Sequence, residues 1–336
     1  MNEKQQSQIL QKTSQCEPGA FYTEPVSCFE KKDRRRGEFC NPYGVAFEPK
    51  HKVIVASEMH NHRLQVFSQQ DGEFLAVFGS NESKNSQFEF PRGVCFQPTT
   101  DNMIVTDSHR LQVFSVSELD FKHLFTVGSA KEGSKPAQFD YPKGVCCTAR
   151  GDIVVADHGN NRMQIFDCRG LHVRAFGSHG QGNNQFDRPC DVCAQGDANR
   201  MVITDWGNIR LSAWSVDGSQ PVLTVPVEGL PHGICSDPHS HRIVVSCDGS
   251  DDITVLDSKI ANEWKIIQQF GTKGKKPGQF FCPFSVCIDD RGALFVADYF
   301  NHRVQVFQPA VKLGSYDENI RAVSSPQDNT IHRKNK

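Results

Sequence analysis

Residues 138–166 read QFDYPKGVCCTARGDIVVADHGNNRMQIF, and the middle of the chain is built from imperfect copies of this stretch. Pro142-Lys143-Gly144 is an opening turn that leads into a short apolar strand at 145–147. A polar turn at Arg150-Gly151-Asp152 follows, then a second strand at 153–156, a tight turn at 157–161 and an alternating strand at 163–166. Short runs of β-favouring residues bounded by Gly, Asn, Asp and Pro are strand signals, and their close spacing makes them antiparallel hairpins.

The copies are counted on the leading proline: Pro42, Pro91, Pro142, Pro189, Pro231 and Pro283, spaced by 49, 51, 47, 42 and 52 residues. A second landmark keeps step in VIVASEMHNHRLQVF (53–67), MIVTDSHRLQVF (103–114), MVITDWGNIRLSAW (201–214) and LFVADYFNHRVQVF (294–307). The fifth copy, IVVSCDGSDDITVL (243–256), lacks the arginine found at Arg63, Arg110, Arg162, Arg210 and Arg303. Six repeats near fifty residues, each worth three or four short strands, specify an all-β, six-bladed propeller rather than a helical solenoid.

The chain has 336 residues and a formal charge of −2, so one closed propeller can use most of it and no global charge draws it to nucleic acid or membrane. No apolar run approaches the roughly 20 residues that span a bilayer. The start, MNEKQQSQILQK, has no apolar signal core, and a cytoplasmic protein is expected. Of the thirteen cysteines, Cys95, Cys146, Cys193, Cys235 and Cys287 share one slot four residues after the leading proline, where the first copy has Ala46. Blade spacing keeps such equivalent thiols beyond disulfide reach, so they are expected as reduced packing residues. The Cys190-Asp191-Val192-Cys193 pair stands alone and is weak evidence for zinc.

Residues 1–22 are expected to be disordered, 23–309 to form the propeller and 310–336 to be a polar tail. The last repeat stops after its third strand, and residues 25–39 compare with 266–280 in strand, basic loop and Gly-x-Phe ending. Residues 26–29 are therefore expected to supply the missing outer strand and close the ring.

The pattern G-x-F-x-x-P-x-G-V, I-V-V-A-D, N-x-R-[LMV]-Q-V-F, F-G resembles NHL repeats, above all the six-bladed NHL propellers of tripartite-motif (TRIM-NHL) proteins. The resemblance covers residues 25–308 and implies a recognition platform for RNA, in post-transcriptional control, or for a protein client. Those proteins carry RING and B-box zinc modules and a coiled coil before the propeller. None of these is in this sequence, so any ubiquitin-ligase role implies substrate recognition for a RING partner. Some six-bladed relatives are metal-dependent lyases, which leaves a lyase or hydrolase at the channel mouth as an alternative. Its ligands would come from His60, His62, His109, His158, His232 and His302, which fall at different offsets in their repeats.

The face that carries the leading prolines is the candidate binding surface. Tyr43, Phe90, Arg92, Tyr141, Lys143, Arg188 and Phe284 flank those prolines, as do Asn41, Leu230, His232 and Cys282. The turns after the second strands add His158, Trp206, Tyr299 and Phe300. Cations interleaved with aromatics are the composition that pairs phosphates and stacks unpaired bases, although wedge aromatics and solvated cations have the same composition. Phe39, Phe88, Phe139, Phe186 and Phe280 recur at one position and are read as wedges between blades. A second basic patch is expected at the closing seam, from Arg34, Arg35, Arg36, Lys273, Lys275 and Lys276. The recurring pairs Asp107–Arg110, Asp157–Arg162, Asp205–Arg210 and Asp298–Arg303 are read as fold elements, because catalysis needs one asymmetric constellation. No nucleotide-binding or nucleophile motif is present, and neither a cofactor nor a membrane partner is expected; the propeller is expected to be monomeric.

Overall fold

The computed structural model describes residues 20–30, 35–80, 84–195, 199–237, 240–259 and 263–310. They form six four-stranded antiparallel sheets arranged as the blades of a propeller. In blade three the strands run outward from the axis as Pro142–Cys147, Ile153–Asp157, Arg162–Phe166 and His172–Phe176. Blades one, two, four and five repeat that order from Pro42, Pro91, Pro189 and Pro231. Blade six takes Pro283–Ile288, Leu294–Asp298 and Arg303–Phe307 from the end of the chain and Ser27–Glu30 from its beginning. The register there is Ser27 opposite Val306 and Glu30 opposite Arg303, so the ring closes as the sequence suggests and two sheet edges disappear.

Residues ahead of the expected boundary at 23 also pack into the propeller. Ala20 and Phe21 are buried, and Phe21 joins Ile253, Phe270, Phe280 and Phe307 between blades five and six. The amide of Phe21 donates to Gln268 Oε1 (2.7 Å) and its carbonyl accepts from Gln268 Nε2 (2.8 Å). A short Ala20-Phe21-Tyr22 run puts its phenylalanine into a hydrophobic seam here, and no periodicity announces it.

Six hydrophobic clusters lie one between each pair of neighbouring blades. In five of them the wedge is a fully buried phenylalanine: Phe39, Phe88, Phe139, Phe186 or Phe280. Between blades four and five Val227 takes that place. Burying each ring contributes about 1.5–3 kcal/mol. The recurring acid and arginine pin the loop that carries the wedge. In blade three, Asp157 Oδ1 accepts the amide of Asp140 (2.8 Å) while Oδ2 accepts Arg162 Nε (2.7 Å). Arg162 then donates to the carbonyls of Ser134, Lys135 and Gln138. Glu58–Arg63, Asp107–Arg110, Asp205–Arg210 and Asp298–Arg303 repeat the ion pair. The arginine therefore ties a loop to a blade. Blade five lacks the arginine because the loop entering it is only residues 227–230, against 177–188 or 271–282 elsewhere.

Candidate functional site

Each inner strand breaks its ladder just after the leading proline. Four resume at the valine or isoleucine three residues on, as at Val145 after Pro142, and blades four and six resume one residue earlier, at Asp191 and Ser285. The inner strands nearly touch at this level. A Cβ on Gly44 would sit 2.2 Å from the Arg92 carbonyl, and one on Gly93 would sit 2.4 Å from the Lys143 carbonyl. Glycine permits that approach. The residue after each proline is then brought to the mouth of the channel, giving Tyr43, Arg92, Lys143, Cys190, His232 and Phe284 in ring order.

These six side chains plug the mouth. His232 Nδ1 donates to the Phe284 carbonyl (2.7 Å), so its Nε2 accepts from the Tyr43 hydroxyl (3.3 Å). The rings of His232 and Phe284 stack at 4.2 Å, and Tyr43 meets Phe284 edge-on at 5.1 Å. Lys143 Nζ lies 3.4 Å from Cys190 Sγ. Burial holds the His232 pKa well below the usual histidine range, so this ring is neutral at pH 7. Burial, followed by the positive charge of Lys143, does the same to His158 and brings it to about 3.

Of the candidates on the proline face, Tyr43, Arg92 and Tyr299 are buried; Tyr43 and Tyr299 offer no free face for stacking. Tyr141 and Phe300 are exposed at 47% and 45%, Arg188 is exposed, and Lys143, His158, Trp206, Phe90 and Phe284 are half-buried. Two cation–aromatic pairs stand around Lys143. The Arg92 guanidinium lies over Tyr141 at 5.3 Å, and that of Arg188 lies over Trp206 at 4.5 Å. The Trp206 indole donates to Asp248 Oδ1 (3.2 Å), and Phe90 packs against His62 at 5.2 Å. Across the ring, Phe300 packs at a tilt against Phe281 at 4.9 Å, and Lys273 lies over Phe281 at 4.6 Å. In the second patch Arg35, Arg36, Lys273, Lys275 and Lys276 are exposed, with Arg35 facing Glu38 (3.7 Å) and Lys273 facing Asp251 (3.9 Å). Arg34 lies outside the described residues.

Sequence reasoning missed Asp191. It stands where four blades have glycine and blade six has Ser285, and it turns a carboxylate into the channel. Its oxygens accept the amides of Val192 (2.8 Å) and Ile234 (3.1 Å), yet burial still raises its pKa to about 7. The signal was the broken P-x-G pattern at Pro189-Cys190-Asp191, which the flanking cysteines disguised as a metal motif. Beyond it a cavity of about 590 Å³ is lined by the slot thiols of Cys95, Cys146, Cys193, Cys235 and Cys287. The cysteines among the described residues are free.

The histidines do not converge. His60 meets the Tyr299 hydroxyl (2.9 Å), His62 the Glu89 carbonyl, His109 the Tyr141 amide (3.4 Å), His158 the Pro189 carbonyl (3.2 Å) and His302 the Asn41 amide (3.1 Å). Among the described residues no group of three or more His, Cys, Asp or Glu side chains is arranged to hold a metal ion, and no helix is long and apolar enough to cross a membrane.

Comparison with known proteins finds the NHL repeat at residues 139–166 and 281–307. E3 ubiquitin-protein ligase NHLRC1 of Rattus norvegicus is 29% identical over 108 residues, which is 32% of this chain and 27% of that protein. Protein brain tumor of Drosophila melanogaster is 36% identical over 73 residues, 22% of this chain and 7% of that protein. Protein lin-41 of Caenorhabditis elegans is 46% identical over 43 residues, 13% and 4% of the two chains. The chain thus matches 27% or less of the length of these relatives. Among solved structures, a streptogramin B lyase superposes with a TM-score of 0.58 at 10% identity, covering 86% of this chain and 98% of that one. A chain of a nidogen/laminin complex gives 0.55 at 15%, covering 68% and 79%. Likeness at that identity is likeness of fold.

Proposed function

We propose that this chain, a six-bladed propeller of NHL repeats, is a recognition module that binds single-stranded RNA on the proline-bearing face of blades two to four. The observation that carries this reading is the row Tyr141–Arg92, Lys143 and Arg188–Trp206, in which cations alternate with aromatic faces beside the plugged mouth. Exposed Tyr141 and half-buried Trp206 offer faces to bases, while Lys143 and Arg188 offer charge to phosphates. Arg92 is buried, and its role is to hold the Tyr141 ring. A bound strand that ran on over blades six and one would meet Phe300 and the exposed Lys273, Lys275 and Lys276.

The test is fluorescence anisotropy with a short labelled oligouridylate across a salt series. Lys143→Glu with Arg188→Glu should weaken binding and reduce the salt slope by about one for each phosphate left unneutralised. Tyr141→Ala should cost roughly 1–3 kcal/mol with little change in slope. Unchanged affinity in the charge-reversed protein refutes the reading.

A second reading is supported by the similarity to an E3 ubiquitin-protein ligase over about a third of the chain. On this reading the same face selects a protein client, with a RING partner supplying the transfer. RNA competing for the client would place both on one surface.

A further inference from the structure

Five of the six seams are latched on the proline face by one device. The turn after the second strand ends in a left-handed residue, at φ 54 in His62, 54 in Asn161, 58 in Asp251 and 56 in His302. A side chain from that turn then bonds the loop entering the next blade. Asn161 Oδ1 accepts the amide of Arg188 (2.8 Å), Asp251 Oδ1 that of Cys282 (2.6 Å) and His302 Nδ1 that of Asn41 (3.1 Å). His109 Nδ1 accepts from Tyr141 (3.4 Å), one residue after left-handed Ser108, and His62 Nδ1 donates to the Glu89 carbonyl.

The sixth position is Ile209, between blades four and five. It holds φ 53 and ψ 49, a conformation that costs a β-branched side chain more than Asn, Asp or His. It has no polar atom to latch with, and only its carbonyl meets the next loop, at the Val227 amide (3.4 Å). That loop is residues 227–230, where other seams have about a dozen. Ile209 is 45% exposed, while its five counterparts are buried or half-buried. A strained, exposed isoleucine beside a shortened loop is not explained by the fold, since asparagine would serve the fold better, and strain that persists at a surface points to function.

The surroundings define the occupant. Trp206 begins the same turn, with its indole bonded to Asp248. Exposed Glu228 follows Val227 and lies close enough to Asp252 to raise that carboxyl further, after burial has done most of the work. Asp248 is likewise raised, by burial first. The notch is thus an apolar knob with an acidic margin on its blade-five side.

We infer that the seam between blades four and five is a docking site for a peptide segment of a partner protein, which covers Ile209 with an aliphatic or aromatic side chain and places an adjacent Lys or Arg against Glu228 and Asp248. The segment replaces the latch that this seam lacks. The site adjoins the RNA surface and does not depend on it.

The experiment selects phage-displayed random peptides on the full-length chain and measures the winners by anisotropy. Enriched peptides should pair a large apolar residue with Lys or Arg. Ile209→Asn and Glu228→Lys should each weaken them about tenfold or more, the equivalent of ~1.4 kcal/mol. Ile209→Asn should at the same time raise the melting temperature, because asparagine accepts the left-handed turn as Asn161 does. The inference is overturned if no such peptides are enriched, if they bind both variants as they bind the parent, or if Ile209→Asn melts lower. It is also overturned if the two variants weaken oligouridylate and leave peptide binding unchanged, because the notch would then belong to RNA.

Discussion

The most exacting prediction concerns a single aromatic ring ahead of the closing strand. Phe21 is fully buried between blades five and six, its backbone is gripped on both sides by the Gln268 amide, and the Arg242 guanidinium lies 4.9 Å over its ring. Truncating a buried phenylalanine to alanine costs about 3–5 kcal/mol through lost transfer energy and the cavity left behind. A propeller of about 290 residues has an unfolding entropy near 0.6 kcal/mol/K, so Phe21→Ala should lower Tm by about 5–8 °C.

Truncations separate this anchor from the closing strand. A chain beginning at Ala20 keeps Phe21 and should melt with the full-length protein. One beginning at Thr23 loses the ring and the Tyr22 amide bond to the Gln308 carbonyl (3.0 Å), and should fall at least as far as the point variant. One beginning at residue 31 also uncovers the edge of Arg303–Phe307 and should aggregate on heating. Calorimetry measures the first two and light scattering the third. Equal melting of the chains beginning at Ala20 and Thr23 would refute the reasoning, since the buried ring would then contribute nothing.

Two further outcomes follow from single residues. Asp191 has a folded pKa of about 7 against an ordinary value near 3.8, so the folded state holds a proton that the unfolded state has lost. Its contribution therefore weakens stability progressively as pH rises through roughly 4–7, by up to ~4 kcal/mol in all. Asp191→Asn should remove that pH dependence and gain on the parent at pH 8; parallel curves of melting temperature against pH would contradict the assignment. Arg162→Ala should strand the buried Asp157 carboxylate and the three loop carbonyls, costing about 3–5 kcal/mol and opening residues 129–141 to protease. Arg162→Lys should rescue little, because an ammonium cannot serve that fork; full rescue would show that charge alone holds the loop.

What the sequence disclosed depended on whether the cause was local or repeated. Blades, strand order and ring closure were legible because the hairpin signals recur and because residues 25–39 resemble 266–280. The acid–arginine pairs were legible as fold elements for the same reason. Their target was not, since Arg162 reaches carbonyls 24 to 28 residues upstream. The sequence could nominate the proline-bearing face as a candidate, but the depth of its residues was hidden. The residue before a leading proline and the one after it look alike in sequence, yet Tyr141 is exposed and Tyr43 is buried. That difference arises only when six strand starts meet on one axis. Phe21 escaped because its segment has no second copy against which to measure it, and Asp191 because the flanking cysteines masked its departure from the P-x-G pattern.

On the proposed function, recognition resides in the departures from repetition. A residue found in nearly every blade, such as the wedge phenylalanine or the linchpin arginine, performs the same task around the ring and cannot distinguish one ligand orientation from another. Orientation requires residues that differ between blades, and the positions after the leading prolines never repeat a residue: Tyr43, Arg92, Lys143, Cys190, His232 and Phe284. The aromatic members bond or stack with one another on the side of blades five, six and one, and so stiffen that part of the mouth. The cationic members fall on blades two and three, beside Arg188 and Trp206 of blade four. Asp191 and Ile209, the two departures that weaken the fold, also belong to blade four. Stability lost in one sector of an otherwise uniform ring supports the binding proposed there, and on that proposal Lys143, Arg188, Trp206 and Ile209 rank ahead of the closing-seam cations.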